Sequence, residues 1–195
     1  MSAEEDDRRE LLGLMLTRAF RVGDFVLASG RHSRYYFDGR LVTLTPRGSL
    51  LVGRAMLRFA REDGVTRIGG PTLGADPMVT AVALSSALDH GPQIAAFIIR
   101  KEVKEHGAGG WCAGPPPEAG ETVALVDDAL TTGGSLLQAA EKVVAAGARI
   151  AAIYTLLDRE EGGRERLEEA GYRTRSVFLR SDLLTVDGQA LPAPG

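Results

Sequence analysis

Apolar runs of strand length alternate with stretches of helical spacing along most of this chain. Residues 66–69, 94–99, 122–126, 149–157 and 175–179 read as strands, and 77–88, 134–146 and 160–170 as helices, the last two closed by Gly147 and Gly171. The strands are continuously apolar rather than alternating, which predicts burial on both faces, right-handed crossovers and a mostly parallel sheet between helices. Ahead of this region, Ser2 and Glu5 form a capping-box pattern. Leu12, Met15, Leu16, Ala19 and Phe20 then recur at helical spacing up to a stop at Gly23. Phe25-Val26-Leu27 and Tyr35-Tyr36-Phe37 predict two short strands about the turn Ser29-Gly30-Arg31. Thr45-Pro46 opens a helix carrying Leu50, Leu51, Ala55, Leu57 and Phe59 and ending near Gly64.

Bulk properties narrow the class. At 195 residues the chain suits one α/β domain with a small N-terminal appendage: residues 1–45 as an N-terminal helix and hood, 46–180 as the core. A net charge of −3 gives no reason to expect a nucleic-acid surface, and no apolar run is long enough for a bilayer. The acidic, mixed-charge start is unlike a signal peptide, and the lone Cys112 has no disulfide partner, which fits a reducing cytoplasm.

The chemistry concentrates in Val123-Ala-Leu-Val-Asp127-Asp128-Ala129-Leu130-Thr131-Thr132-Gly133-Gly134-Ser135. A buried strand running into two carboxylates, then a hydroxyl- and glycine-rich loop, then a helix, aims several backbone N–H groups and a helix dipole at one spot, so a phosphate binds there without a lysine. The carboxylates accept hydrogen bonds from sugar hydroxyls and help hold a hydrated divalent cation. Each half alone is commonplace; together they fit a ribose 5-phosphate. The loop lacks the lysine of a Walker motif and is not Gly-x-Gly-x-x-Gly, which disfavours nucleoside triphosphate hydrolysis and dinucleotide binding.

Two further loops leave the same edge of the predicted sheet. Residues 100–120 read as an irregular, mobile basic loop with Arg100, Lys101, Lys104 and His106, able to close over a polyphosphate and exclude water. Gly69-Gly70-Pro71-Thr72-Leu73-Gly74-Ala75-Asp76-Pro77 permits close backbone approach of a ligand, fitting the pyrophosphate end of the same molecule. Cys112 has no neighbour that would activate it, and His32 and His90 read as surface or packing residues.

The Asp-Asp loop resembles the phosphoribosyl pyrophosphate (PRPP) loop of the type I phosphoribosyltransferases. With Arg100-Lys-x-x-Lys104-x-His106-Gly, Ser29-Gly-x-x-Ser-x-Tyr-Tyr36-Phe37 and Leu157-Asp-Arg159-Glu, the chain is similar, from about Gly23 to Leu179, to the orotate phosphoribosyltransferases of that family. The resemblance implies a type I phosphoribosyltransferase-like fold, a central mostly parallel sheet flanked by helices with a small N-terminal hood. It also implies transfer of 5-phosphoribosyl from PRPP to orotate, giving orotidine 5′-monophosphate and pyrophosphate in pyrimidine biosynthesis. By the same likeness, Asp127 through Ser135 bind PRPP, with Thr131 also near orotate. Leu73, Gly74, Arg100, Lys101, Lys104 and His106 hold the diphosphate, Lys104 being the main catalytic residue. Tyr36 and Phe37 present backbone groups to orotate, and Arg159 meets the pyrimidine. Mg2+ is held mainly by PRPP and water rather than by the protein. The partners implied are PRPP, orotate and a second copy of the chain, in a homodimer whose site is shared.

Elementary chemistry is compatible: displacement at the anomeric carbon develops positive charge on the ribose beside Asp127 and Asp128, and negative charge on the departing diphosphate beside Lys104. Two positions depart from the family pattern, Ala28 and the stretch Leu73-Gly74, each where a lysine is often found; Arg31 is a candidate substitute. A purine or uracil phosphoribosyltransferase, or a non-catalytic PRPP sensor of the same fold, remains the alternative reading.

Overall fold

The computed structural model describes residues 2–26, 32–104, 110–186 and 189–190. The turn at 29–31, Leu27, Ala28 and His106 lie outside the described residues, as does the side chain of Lys104.

Helix α1 (Ala3–Leu14) starts at the predicted capping box, Ser2 Oγ accepting from the Glu5 N–H and Glu5 from the Ser2 N–H. The helical pattern does not run to Gly23. It widens into a π-helical segment (Met15–Ala19) and gives way at Phe20 to β1 (Phe20–Val26), antiparallel to β2 (His32–Phe37) with Phe20 opposite Phe37. Hairpin pairing outweighs the helical spacing here: Phe20 stacks on Tyr35, ring centroids 5.5 Å apart, and is buried either way. A single turn, α2 (Arg40–Thr43), leads to α3 (Pro46–Glu62), capped by Thr45 with proline in its first turn as predicted.

The core is a six-stranded sheet in the order β5-β4-β3-β6-β7-β8. Its strands are β3 (Arg67–Pro71), β4 (Ala95–Lys104), β5 (Gly110–Ala113), β6 (Thr122–Leu130), β7 (Arg149–Asp158) and β8 (Thr174–Leu179). All neighbours are parallel except β5, which returns antiparallel along β4. Connections run through α4 (Ala75–Leu88), α5 (Gly134–Ala145) and α6 (Gly163–Glu169), while α7 (Arg180–Leu184) and the short pair β9 (Thr185–Val186) and β10 (Gln189–Ala190) follow β8.

Alternate residues of β6 feed two apolar layers. Ala124 and Val126 pack with Leu51, Met56, Met78 and Val82 of α3 and α4, and Val123 and Leu125 with Leu136, Ala140 and Val143 of α5. Continuous apolarity thus arises because both faces are covered.

Two strands outrun their apolar runs, and both extensions correct the sequence expectation. β6 continues past Val126 through the acidic pair to Leu130, since its backbone keeps pairing with β7 (Asp127 opposite Thr155, Leu130 opposite Asp158) whatever the side chains. β4 likewise runs on to Lys104, with Ile99 opposite Cys112 and Lys104 opposite Gly110. The stretch 100–120 is therefore not wholly irregular: it contains a two-stranded arm at the sheet edge. Such an arm has little core to cover, so its polar composition carried no strand period.

Candidate active site

The carboxyl ends of β3, β4 and β6 converge with the start of α5, where ligands of open α/β sheets bind. Gly133 holds the turn before α5 in a left-handed conformation (φ 74°), and no side chain caps the helix. The first-turn N–H groups of α5 therefore have no intrahelical acceptor and point into the loop. The loop rests on the next crossover. Gly163 packs so close to the Thr131 carbonyl that a Cβ there would collide with it, the Arg159 N–H donates to Leu130 O at 2.9 Å, and Arg166 donates to Thr132 O at 3.3 Å. Leu130 is buried, so it can offer a ligand only main chain.

Asp127 and Asp128 lie on the last part of β6. Asp127 Oδ1 accepts from the Asp128 N–H at 3.0 Å, and Ser135 Oγ stands 3.5 Å from its Oδ2. Burial, then the neighbouring Asp128 charge, pushes Asp127 up to about 8. Asp128 is also raised, by burial and then by Asp38, while its hydrogen bond with Asp127 pulls the other way. Burial and mutual repulsion thus favour one proton shared by the pair. Asp38 itself is gripped by Arg40 through two 2.8 Å bonds, which keep it below the usual carboxylate range.

A cavity of about 490 Å³ opens beside Asp127, lined by Thr72 and Gly74 from the β3–α4 loop, Arg100 and Lys101 from β4, and Ser135, Gln138 and Lys142 from α5. Gly74 is the pinch point: a Cβ would meet Asp127 Oδ1 at 2.5 Å and collide with Asp128 Oδ1. Thr72 Oγ1 donates to Asp76 at 2.9 Å, fixing the loop. Leu73 does not face this cavity; it is 59% exposed and lines a separate groove with Leu44, Pro46 and Thr80.

The third constellation joins β2 to the end of β7. Arg159 is buried, its guanidinium 4.7 Å from the Tyr35 ring centroid, and its Nε lies 2.9 Å from the Tyr35 hydroxyl and 3.0 Å from Glu161 Oε1. Tyr35 in turn donates to Glu161 at 2.9 Å. Arg159 Nη2 is buried with no hydrogen-bond partner, an orphan donor on the residue whose backbone N–H holds Leu130 O. Tyr36 is exposed, while the Phe37 ring is buried, leaving its main chain as the part able to meet a ligand.

The structure therefore brings Gly74, Arg100, Lys101, Asp127 and Ser135 to one cavity and sets Thr131 and Arg159 on adjoining elements. Sequence reasoning missed Tyr35, Glu161, Gln138 and Lys142. Ser135, Gln138 and Lys142 are spaced i, i+3, i+7, a polar stripe on one face of α5 that was there to be read.

The sheet topology and the strand-to-helix loop at its carboxyl edge are those of the phosphoribosyltransferase class. The phosphoribosyl transferase domain matches residues 75–175. The orotate phosphoribosyltransferase of Nostoc sp. is 43% identical over 176 residues, 90% of this chain and 84% of its own; that of Aquifex aeolicus is 40% identical over 181 residues, 91% and 98%. The crystal structure of Mycobacterium tuberculosis orotate phosphoribosyltransferase with PRPP superposes with TM-score 0.76 at 36% identity, covering 91% of this chain and 98% of that one. The chain belongs to the orotate phosphoribosyltransferases of this phosphoribosyltransferase family.

Proposed function

We propose that the chain transfers the 5-phosphoribosyl group of PRPP to orotate, releasing pyrophosphate and forming orotidine 5′-monophosphate for pyrimidine biosynthesis. The observation that carries the reading is the orphan Nη2 of Arg159, a buried donor held by Tyr35 and Glu161 next to the phosphate loop. A dioxopyrimidine carboxylate offers acceptors to such a donor; a purine needs a different pattern.

In this reading the main chain of residues 129–135 holds the 5′-phosphate, and Asp127 and Asp128 accept from the ribose hydroxyls. The bond from C1′ to the diphosphate oxygen breaks with its electron pair leaving on oxygen, and the ring nitrogen of orotate bonds to C1′. Positive charge building on the sugar faces the carboxylates, and negative charge on the leaving group faces Arg100 and Lys101. The charge of orotate sits on its carboxylate, so the attacking ring nitrogen sheds its proton as the bond to C1′ forms, and the departing diphosphate oxygen or solvent takes it up. Main-chain groups of Tyr36 and Phe37 meet orotate. Lys104, at the end of β4, and His106 close over the diphosphate of the neighbouring subunit in a homodimer. Carboxylates opening on a cavity suit the hydration shell of a Mg2+ that arrives with PRPP, and that ion would neutralise diphosphate charge. Among the described residues no His, Cys, Asp and Glu cluster would hold a metal unaided, and no helix is long and apolar enough to cross a membrane. The protein acts as one domain in the cytoplasm, residues 1–45 forming the hood over 46–180.

Pyrophosphate release measured with PRPP and, in turn, orotate, uracil, adenine and hypoxanthine tests the assignment; turnover confined to a purine or to uracil overturns it. Lys104→Ala is expected to lose most turnover with a modest loss of PRPP binding. A wild type that binds PRPP but turns over none of the four bases would instead mark a sensor.

A further inference from the structure

We infer that Lys142, on α5, is a diphosphate-contacting residue that supplies a cation to the cavity shared with the β3–α4 loop. The inference rests on the proposed use of PRPP and concerns which of this chain's own residues grips its leaving group.

Three observations carry it. First, Lys142 lines the same 490 Å³ cavity as Thr72, Gly74, Arg100 and Asp127, although it stands seven residues into the helix from Ser135. Ser135, Gln138 and Lys142 present successive polar groups down one helical face, so the cavity is bounded by a hydroxyl, an amide and an ammonium in that order.

Second, the β3–α4 loop cannot contribute a side chain at Gly74. At Gly74 a Cβ would run into the carboxylates of both Asp127 and Asp128, so any cation for that region must reach in from elsewhere. Arg100 and Lys101 come from β4 and Lys142 from α5, giving three cations against the single carboxylate of Asp127 among the lining residues. Such an excess of positive charge suits a polyanion and is poorly matched to a bare sugar.

Third, Lys142 is already held in place. Its Nζ donates to the Arg100 carbonyl at 3.0 Å, which spends one of three ammonium donors and leaves two for an incoming ligand. The contact also ties α5 to β4 at the residue whose guanidinium shares the cavity. A lysine fixed at its tip, at the rim of a site with a carboxylate inside, loses less rotamer entropy on binding than a free surface lysine would.

The alternative role is purely structural: Lys142 could serve only as a strap on the β4 backbone. Conservative variants separate the two. Lys142→Gln retains a donor able to reach a carbonyl but has no charge; Lys142→Arg retains the charge. Binding of PRPP and of inorganic pyrophosphate is measured by titration calorimetry, alongside steady-state kinetics with orotate. For Lys142→Gln we expect roughly 5- to 30-fold weaker binding of both anions and a matching rise in the PRPP KM, from loss of one charge-assisted contact, with the orotate KM unchanged. Lys142→Arg should stay within about threefold of wild type. Lys142→Gln that binds pyrophosphate like wild type overturns the inference and leaves the phosphoribosyl transfer reading intact. A wild type that binds neither anion overturns both. A parallel fall of PRPP and orotate affinity in Lys142→Gln and Lys142→Arg alike, with lowered melting temperature, overturns it in favour of the strap.

Discussion

The Tyr35 hydroxyl stands 2.9 Å from Arg159 Nε, binding the second strand of the N-terminal hairpin to the end of β7 across 124 positions of sequence. The same hydroxyl donates to Glu161, and Glu161 also pairs with Arg159 Nε at 3.0 Å, so the three groups lock one another. With Nε and the ring face engaged, the guanidinium has one orientation, and its orphan Nη2 is presented as a fixed donor. The hairpin, a sheet of its own, is thereby what fixes the Arg159 guanidinium.

Tyr35→Phe removes the hydroxyl and keeps the ring against Phe20 and Arg159. Its loss leaves Glu161 and Arg159 still paired but free to rotate about that contact. We expect the orotate KM to rise about 3- to 20-fold with the PRPP KM unchanged, and a stability cost of about 1.5–3 kcal/mol, because the hydroxyl bonds two charged groups. Steady-state kinetics with each substrate varied in turn is the check. An equal rise in both KM values would mean the hairpin supports the whole cleft rather than the arginine.

Arg159→Lys tests the donor itself. Lysine keeps the charge but lacks the planar fork, so it cannot bond Tyr35 and a ligand in the same geometry. The kcat/KM for orotate should fall by about 10²-fold or more, consistent with loss of a charge-assisted bond and the unpairing of buried groups, while PRPP binding persists. Retention of orotate turnover would remove Arg159 from the pyrimidine side.

How far the sequence disclosed this architecture depends on what each feature is made of. The crossovers were legible because two-sided burial forces apolar runs, and the phosphate loop because acids, hydroxyls and glycines rarely follow a buried strand together. The far ends of β4 and β6 were not, since backbone pairing at Lys104 and Asp127 needs no apolar side chain to sustain it. Leu73, expected at the diphosphate, points into another groove because Gly74, not its neighbour, abuts the carboxylates. The Tyr35–Glu161 contact joins residues 126 apart, and only the folded hairpin brings them together.

Gly133 and Gly163 shape the loop from opposite sides. At Gly133 an alanine would have to adopt φ near 74° with its Cβ 3.2 Å from the Gly163 carbonyl and Leu167. The left-handed conformation costs about 1–2 kcal/mol for such a residue. Gly133→Ala should therefore lower the melting temperature by roughly 2–4 °C per kcal/mol lost and raise the PRPP KM, because the displaced turn re-aims the N–H groups of α5. Thermal unfolding with and without PRPP reads both; a PRPP KM like that of wild type despite lowered stability would show that the turn does not position the phosphate.

Asp127 and Asp128 give the site a pH signature whose sign follows from their shared proton. Burial and the Asp128 charge push Asp127, which shares its proton with Asp128, up to about 8, against about 3.9 for an aspartate in the unfolded chain. Between those values the folded state binds the extra proton, so the contribution of this group to stability is complete below pH 4 and declines as pH rises toward 8. Ligand binding runs the other way. Ribose hydroxyls donate best to ionised carboxylates, so PRPP should expel the shared proton and bind more tightly as pH rises from about 6 to 8, by at most about tenfold per unit. Calorimetric titration of PRPP at pH 7 in two buffers of different ionisation enthalpy should report proton release, up to about one per site. PRPP and its magnesium complex titrate in the same range, so Asp127→Asn is the reference: with the proton site removed, release should drop to the ligand's own share. Equal release in the two proteins would mean that the pair keeps its proton when the sugar is bound.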